Sequence, residues 1–360
     1  MTPEQKQALT LREQGMSRSS IARAMNKTER QVKSLLLKAR QWSNADPAAQ
    51  TAANAAGSNA LPHSFWVKTD THSIYYKTPQ NEQHAQEWWT DAFADIPAWE
   101  PHHAEIEANN LLSVYPVFDL HHGMLAWGDE TKAQDYDLDH AAADLKSAVA
   151  RLHQLTPKGG EALLILGGDT LHIDDGRNET PQSRHKLDAD GRYYKVLDTA
   201  IKSIAWLIET LAYRHDKVKV RVLRGNHDEH SHMALGFALA ERYRDVPRIT
   251  IEKSPHDLFM HRHGACLIAA HHGDKSPPQR LAMYLSDICP YWSDTRHRHI
   301  LTGHIHHDSA KDFPGVKWQS LRAFCPPDAY GAGFGSRRSL RVMVFDDKKG
   351  LVLTAEDGVE

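Results

Sequence analysis

An α/β layered domain preceded by a small all-α unit is the fold class that this sequence predicts, and three observations predict it. Apolar strands alternate with amphipathic helices after Leu111. Asp, Asn and His residues gather directly behind those strands. The N-terminus is basic and apolar at helical spacing. At 360 residues the chain has room for one large domain and one small one. Its 41% hydrophobic and 25% charged residues are those of a globular protein with a sizeable core.

The helical unit comes first, over residues 1–42. Pro3 to Gln14, Ser17 to Met25 and Thr28 to Trp42 are apolar at helical spacing; Gly15 breaks the first from the second, and Asn26-Lys27 separates the second from the third. Ser17 and Thr28 stand where N-caps belong. Nine Lys/Arg face three Glu in this stretch, although the whole chain carries a formal charge of -3, so the basic end is the part suited to a polyanion. The pattern resembles the helix-turn-helix DNA-binding fold. That resemblance implies a third helix in a major groove, presenting Arg30, Gln31, Lys33, Ser34 and Lys38, with Val32, Leu35 and Leu36 facing inward. A three-helix adaptor is the plainer alternative.

From residue 43 to 63 the composition turns to Ala, Asn, Ser and Gly with little charge, which predicts a flexible linker. Residues 64–110 receive no function. Phe65, Val67 and Ile74 to Tyr76 predict a short hairpin, and Glu87 to Phe93 a helical turn. The third part, 111–360, alternates strands with helices: Ser113 to Phe118, a helix from Asp139 to Leu155, Ala162 to Leu166, a helix from Tyr194 to His215, and Lys219 to Leu223. Strands at Ala265 to Ala270 and Arg298 to Thr302 continue it.

Polar residues follow these strand ends: Asp119 and His121; Asp169; Asn226, His227 and Asp228; His271 and His272; His304 and His306. In layered α/β sheets ligands collect outside the carboxyl ends of strands, so these five loops can converge. Carboxylate, amide and imidazole donors without a thiolate suit divalent cations such as Mn²⁺, Fe²⁺ or Zn²⁺ and exclude a soft copper or iron-sulfur site. The three cysteines, at irregular spacing, read as reduced thiols in a cytoplasm, and no apolar run is long enough to span a membrane.

The ordered set Asp119-x-His121, Gly168-Asp169, Gly225-Asn226-His227-Asp228, His272-Gly273 and Gly303-His304-x-His306 resembles the calcineurin-like metallophosphoesterases, over about 190 residues. The resemblance implies a two-metal phosphoric ester hydrolase on a layered sandwich fold. It gives one ion Asp119, His121, Asp169 and His306, and the second Asp169, Asn226, His272 and His304, with Mn²⁺ preferred and Fe²⁺, Zn²⁺ or Ni²⁺ as other candidates. It makes His227 the acid or charge-stabilising residue, with Asp228 orienting it. His122, His271 and His307 each neighbour a ligand; His272 is taken over His271 because the family's ligand precedes the glycine.

Gly168-Asp169-Thr170-Leu171-His172 departs from the protein-phosphatase pattern and is locally similar to the SbcD-type repair exonucleases, as is Asp119 to Gly123. Only 54 residues follow His306, less than such nucleases carry there. A polar insert from Ile173 to Tyr193 offers Arg177, Arg184 and Arg192 as substrate contacts. The leading expectation is a DNA-directed phosphodiesterase or nuclease of mobile-element or phage character. A small-nucleotide phosphatase or phosphodiesterase stands second, and a DNA-binding regulator with a structural metal domain third.

Overall fold

The computed structural model describes residues 1–43, 64–68, 73–77 and 109–359, and the chain divides into two units, Met1–Trp99 and Glu100–Glu360. In the first, Thr2 opens α1 (Pro3–Glu13) with a reciprocal capping box to Gln5. Ser17 caps α2 (Arg18–Ala24), its hydroxyl accepting from the Ser20 N–H at 3.2 Å. Thr28 and Gln31 form a second capping box at the head of α3 (Glu29–Ser43). Gly15 and Asn26 make the two turns in left-handed conformations, φ 85° and 50°. Ala8, Ile21, Ala22, Val32 and Leu36 close a small core, and Leu35 packs partly buried against it. β1 (Ser64–Lys68) and β2 (Ser73–Lys77) pair antiparallel, as their alternation predicts. Of the linker expected at 43–63, Ser43 closes α3, and the rest, with the helical turn expected at 87–93, lies outside the described residues.

The second unit begins with β3 (Leu111–Val117), followed by the short α4 (Gly128–Thr131) and by α5 (Leu138–Leu155), which Asp137 caps through the N–H groups of Asp139 and His140. β4 (Glu161–Leu166), α6 (Tyr193–Ala212), β5 (Lys217–Val222), α7 (Ser231–Arg242) and β6 (Ile249–Glu252) follow. β3, β4, β5 and β6 run parallel; β12 (Leu340–Asp346) and β13 (Gly350–Asp357) extend the sheet antiparallel beside β3, for six strands. A five-stranded sheet takes the order β10-β11-β9-β8-β7, built from β7 (Phe259–His263), β8 (Cys266–Ala270), β9 (His297–Thr302), β10 (Ser309–Phe313) and β11 (Val316–Ser320).

The two sheets stack face to face. Leu112 and Val114 of β3 and Leu163 and Ile165 of β4 meet Cys266, Ile268 and Ala270 of β8 and Leu301 of β9 in one core. The intervening residues Leu164 and Leu166 are equally buried, because α5 and α6 cover the other face of the six-stranded sheet. Apolar runs on β3 and β4 are therefore continuous rather than alternating, as strands covered on both faces require. α8 (Pro278–Ile288) covers the outer face of the second sheet with Leu281, Ala282 and Leu285. The result is an α/β sandwich with an N-terminal helical unit, and the expected strand ends shift by only one or two residues. Residues 309–320 and 340–357, which carried no expected strand, supply four strands.

Candidate metal centre

β3 and β4 lie in parallel register, Val117 beside Leu166, and their loops continue side by side past the sheet edge. Gly167 N–H donates to Val117 O, Asp119 N–H to Gly168 O, His121 N–H to Asp169 O and His122 N–H to Thr170 O. This backbone ladder sets Asp119, His121 and Asp169 next to one another. The loops after β5, β8 and β9 bring Asn226, His272, His304 and His306 to the same end of the sandwich.

The ligating atoms of Asp119, His121 and His306 lie within 4.8 Å of one another, and so do those of Asp169, His272 and His304. Asp169 joins the two groups, with Oδ2 3.2 Å from His272 Nε2 and 3.8 Å from His121 Nε2. Asn226 Oδ1 is 3.1 Å from His272 Nε2, and Asp119 Oδ1 is 3.5 Å from His306 Nε2. Asp119, His121, Asp169 and His272 form a buried floor, while Asn226, His227, His304 and His306 stand toward solvent. His272 Nδ1 donates to Gly167 O at 3.0 Å, so Nε2 is the atom turned inward. Between His271 and His272, it is His272 that meets Asp169; His271 Nδ1 accepts from the Gly273 N–H in a local turn.

The donors fit divalent cations. His121 Nε2 is buried without a hydrogen-bond partner, although it sits beside two carboxylates. Burial lowers the His272 pKa, but the Asp169 charge more than offsets it and raises the value to about 10. Buried carboxylates that hold a proton on His272 in this way supply a field that suits a cation. Asp119, His121, Asp169, His304 and His306 all take left-handed backbone, φ 44° to 70°, which turns their side chains back over the sheet edge. Gly225 and Gly303 let the backbone approach the carboxylates, since a Cβ on Gly225 would lie 2.0 Å from Asp169 Oδ1 and one on Gly303 2.3 Å from Asp119 Oδ2.

Two expectations about roles need correction. Asp228 does not orient the His227 ring. Its buried carboxylate accepts four backbone N–H groups, from Asp169, Thr170, Leu171 and Gly225, and so ties the β4 loop to the β5 loop. Burial and the Asp169 charge push its pKa up to about 7, against the pull of those donors. The His227 ring is held by its Nδ1–H donating to His172 O at 2.9 Å.

The sequence places His172 in the second motif, three residues after Asp169, without assigning it a role. Its Nδ1 is 3.1 Å from His121 Nδ1, which turns His121 Nε2 toward Asp169, and its ring stacks on His227 with centroids 5.2 Å apart. The spacing Gly-Asp-x-x-His was the available signal.

The second correction concerns the insert. A cavity of about 620 Å³ opens over the cluster, and the insert does line it, through Thr180, Ser183, His185, Lys186 and Leu187. Arg177, Arg184 and Arg192 are not among its lining residues. Arg177 pairs with Asp175, Arg184 occupies a turn at φ 56°, and Arg192 caps α6 through its backbone. Of the three, Arg177 is held by a local carboxylate, and Arg184 and Arg192 enter the loop's geometry through their backbones.

On α3, Arg30, Lys33, Ser34 and Lys38 are exposed with the spacing of one helix face, opposite Val32 and Leu36. Gln31 is exposed too, but its amide oxygen is occupied by the Thr28 capping box. The three cysteines are buried and free. Among the described residues, no helix is long and apolar enough to cross a membrane.

The sigma-70 region 4 family matches residues 1–42. No curated protein matches the chain. Solved structures similar to it include a conserved protein from Streptococcus pneumoniae described as a predicted phosphoesterase, 11% identical over 69% of this chain and 99% of that one, with a TM-score of 0.30. Yfce, a phosphoesterase from E. coli, is 12% identical over 69% and 100%, with a TM-score of 0.36. Vacuolar protein sorting 29 from Cryptosporidium parvum is 12% identical over 69% and 98%, with a TM-score of 0.33.

Proposed function

We propose that the chain is a two-metal phosphodiesterase acting on DNA, and that its helix-turn-helix holds it on the substrate. The observation that carries the proposal is the meeting of seven donors from five loops beneath one cavity, with His227 above them. Asp119, His121, Asp169 and His306 would hold one ion, and Asp169, Asn226, His272 and His304 the other. Divalent ions there supply Lewis-acid polarisation of a phosphoryl oxygen and activation of water at neutral pH.

The chain's own residues do the rest. His227 Nδ1 is committed to the His172 carbonyl, so Nε2 is the atom that gives or receives a proton at the leaving oxygen. His172 buttresses both His227 and His121. Asp228 holds the two loops whose separation sets the distance from Asp169 to Asn226. The Gly-Asp-x-x-His form of the second motif favours the nuclease-like branch over protein phosphatases, and the sigma-70 region 4 match favours nucleic acid. A tether of that kind acts by raising effective concentration.

The test is hydrolysis of bis-p-nitrophenyl phosphate and of linear DNA with Mn²⁺. Asp169→Ala and His227→Ala are expected to lose at least a hundredfold on both substrates. Deletion of residues 1–42 is expected to weaken DNA cleavage and spare the small diester. Wild-type protein inert on both with Mn²⁺, Ni²⁺ and Mg²⁺ would sink the enzyme reading and favour the regulator. A second reading, a phosphatase or phosphodiesterase for small nucleotides, is favoured by one observation. The 620 Å³ cavity matches a compact ligand and is too small for a duplex. Cleavage of mononucleotides that is indifferent to competing DNA would decide for it.

A further inference from the structure

The cavity is larger than a phosphate group needs, and the part away from the Asp/His floor has a different chemistry. The insert and the loop after β11 face each other across it. Leu187 comes from the insert, Pro326, Pro327 and Tyr330 from the loop, and Ile305 and Met124 line it as well, so much of the wall is apolar. Tyr330 leaves 74% of its surface exposed. Its ring lies 5.7 Å from that of His185, tilted by 34°. Two rings from separate segments thus stand at the cavity that also opens on His227 and Asp169. Lys186 lines the same wall and pairs with Glu179.

From this we infer that the Tyr330 and His185 rings form a stacking subsite for a nucleobase attached to the phosphoester held at the metal centre. This rests on the phosphoesterase reading and narrows its substrate to nucleotides and accessible nucleic-acid strands. A planar base has the shape for a slot with an aromatic lip, and stacking tolerates any base because each has a π-face. The insert's two hydroxyls at this wall are engaged with one another, Thr180 Oγ1 lying 2.6 Å from Ser183 Oγ, so they favour no particular base edge. In a duplex the base must leave its stack to enter, so the subsite selects single strands, ends or free nucleotides.

The test uses the full chain with Mn²⁺ and two esters, thymidine 5′-(p-nitrophenyl phosphate) and methyl p-nitrophenyl phosphate. Wild type is expected to prefer the nucleotide ester. Tyr330→Ala is expected to cut that preference, the ratio of the two kcat/KM values, about tenfold through KM, whereas Tyr330→Phe keeps it. An unchanged ratio in Tyr330→Ala, or an equal loss in Tyr330→Phe, would overturn the inference.

Binding of adenosine 5′-monophosphate, measured by calorimetry in Mn²⁺, separates this from the parent reading. If neither ester is hydrolysed, the hydrolase reading fails. A tenfold weaker Kd in Tyr330→Ala would still support the subsite, and equal or absent binding would refute it.

Discussion

Asp228 is the residue whose replacement is most informative, because its carboxylate has all its work inside the protein. Oδ1 accepts from Asp169 and Gly225, and Oδ2 from Thr170 and Leu171. In Asp228→Asn one acceptor becomes an NH₂ group facing two N–H donors in a buried site. The expected cost is about 2–4 kcal/mol. A lower melting temperature should accompany lost hydrolysis, and a variant as stable as wild type would refute the tie between loops. The residues that gather at the centre were legible because each stands directly behind a strand end. The role of Asp228 was not, because hydrogen bonds to backbone groups leave no mark on spacing, and that of His172 shows only in its contacts with the His121 and His227 rings.

At the scale of elements, the helical unit stands on very few buried side chains, and Ile21 is fully buried among them. So small a core has little stability to spare. Ile21→Ala should cost about 2–5 kcal/mol and unfold residues 1–43. DNA binding should then fall while hydrolysis of bis-p-nitrophenyl phosphate persists. If DNA binding survives loss of the helical circular dichroism, the cationic face of α3 is not the contact. Helices and central strands were readable from period and caps. The strands at 309–320 and 340–357 were not. In β10 the described residues are exposed or half-buried, so no apolar run announces it. The insert misled for a related reason: its arginines advertise charge, but Thr180, Ser183, His185, Lys186 and Leu187 are its residues that line the cavity.

For the whole molecule, buried histidines tie stability to pH. Burial lowers His153 to about 3 and His215, His261 and His299 each to about 4. Unfolded, each titrates near 6.5. Between pH 6.5 and about 4 the unfolded chain therefore binds protons that the folded chain refuses. Stability is full above 6.5, falls as pH drops through that window and, through His153, on to about 3, and loses nothing further from these groups below that. For His215, whose ring bridges Tyr115 Oη and Gly159 O, the loss is on the order of 3 kcal/mol. Thermal melts from pH 7 to 4 should show it, and His215→Asn should flatten the curve; a melting temperature constant over that range would contradict the assignment of these rings as neutral.

Five of the seven proposed ligands sit where L-residues are uncomfortable, at a cost of roughly 1–2 kcal/mol each. A lineage released from the reaction would find glycine at these positions an improvement. Decay of the activity would then be downhill, toward descendants that keep the sandwich, hold it more firmly and do nothing with it. His304→Gly imitates the first step, since its side chain is exposed and its φ is 70°. In chelator it should melt higher than the parent while turning over no substrate, and a lower melting temperature would show that the left-handed turns cost the fold nothing.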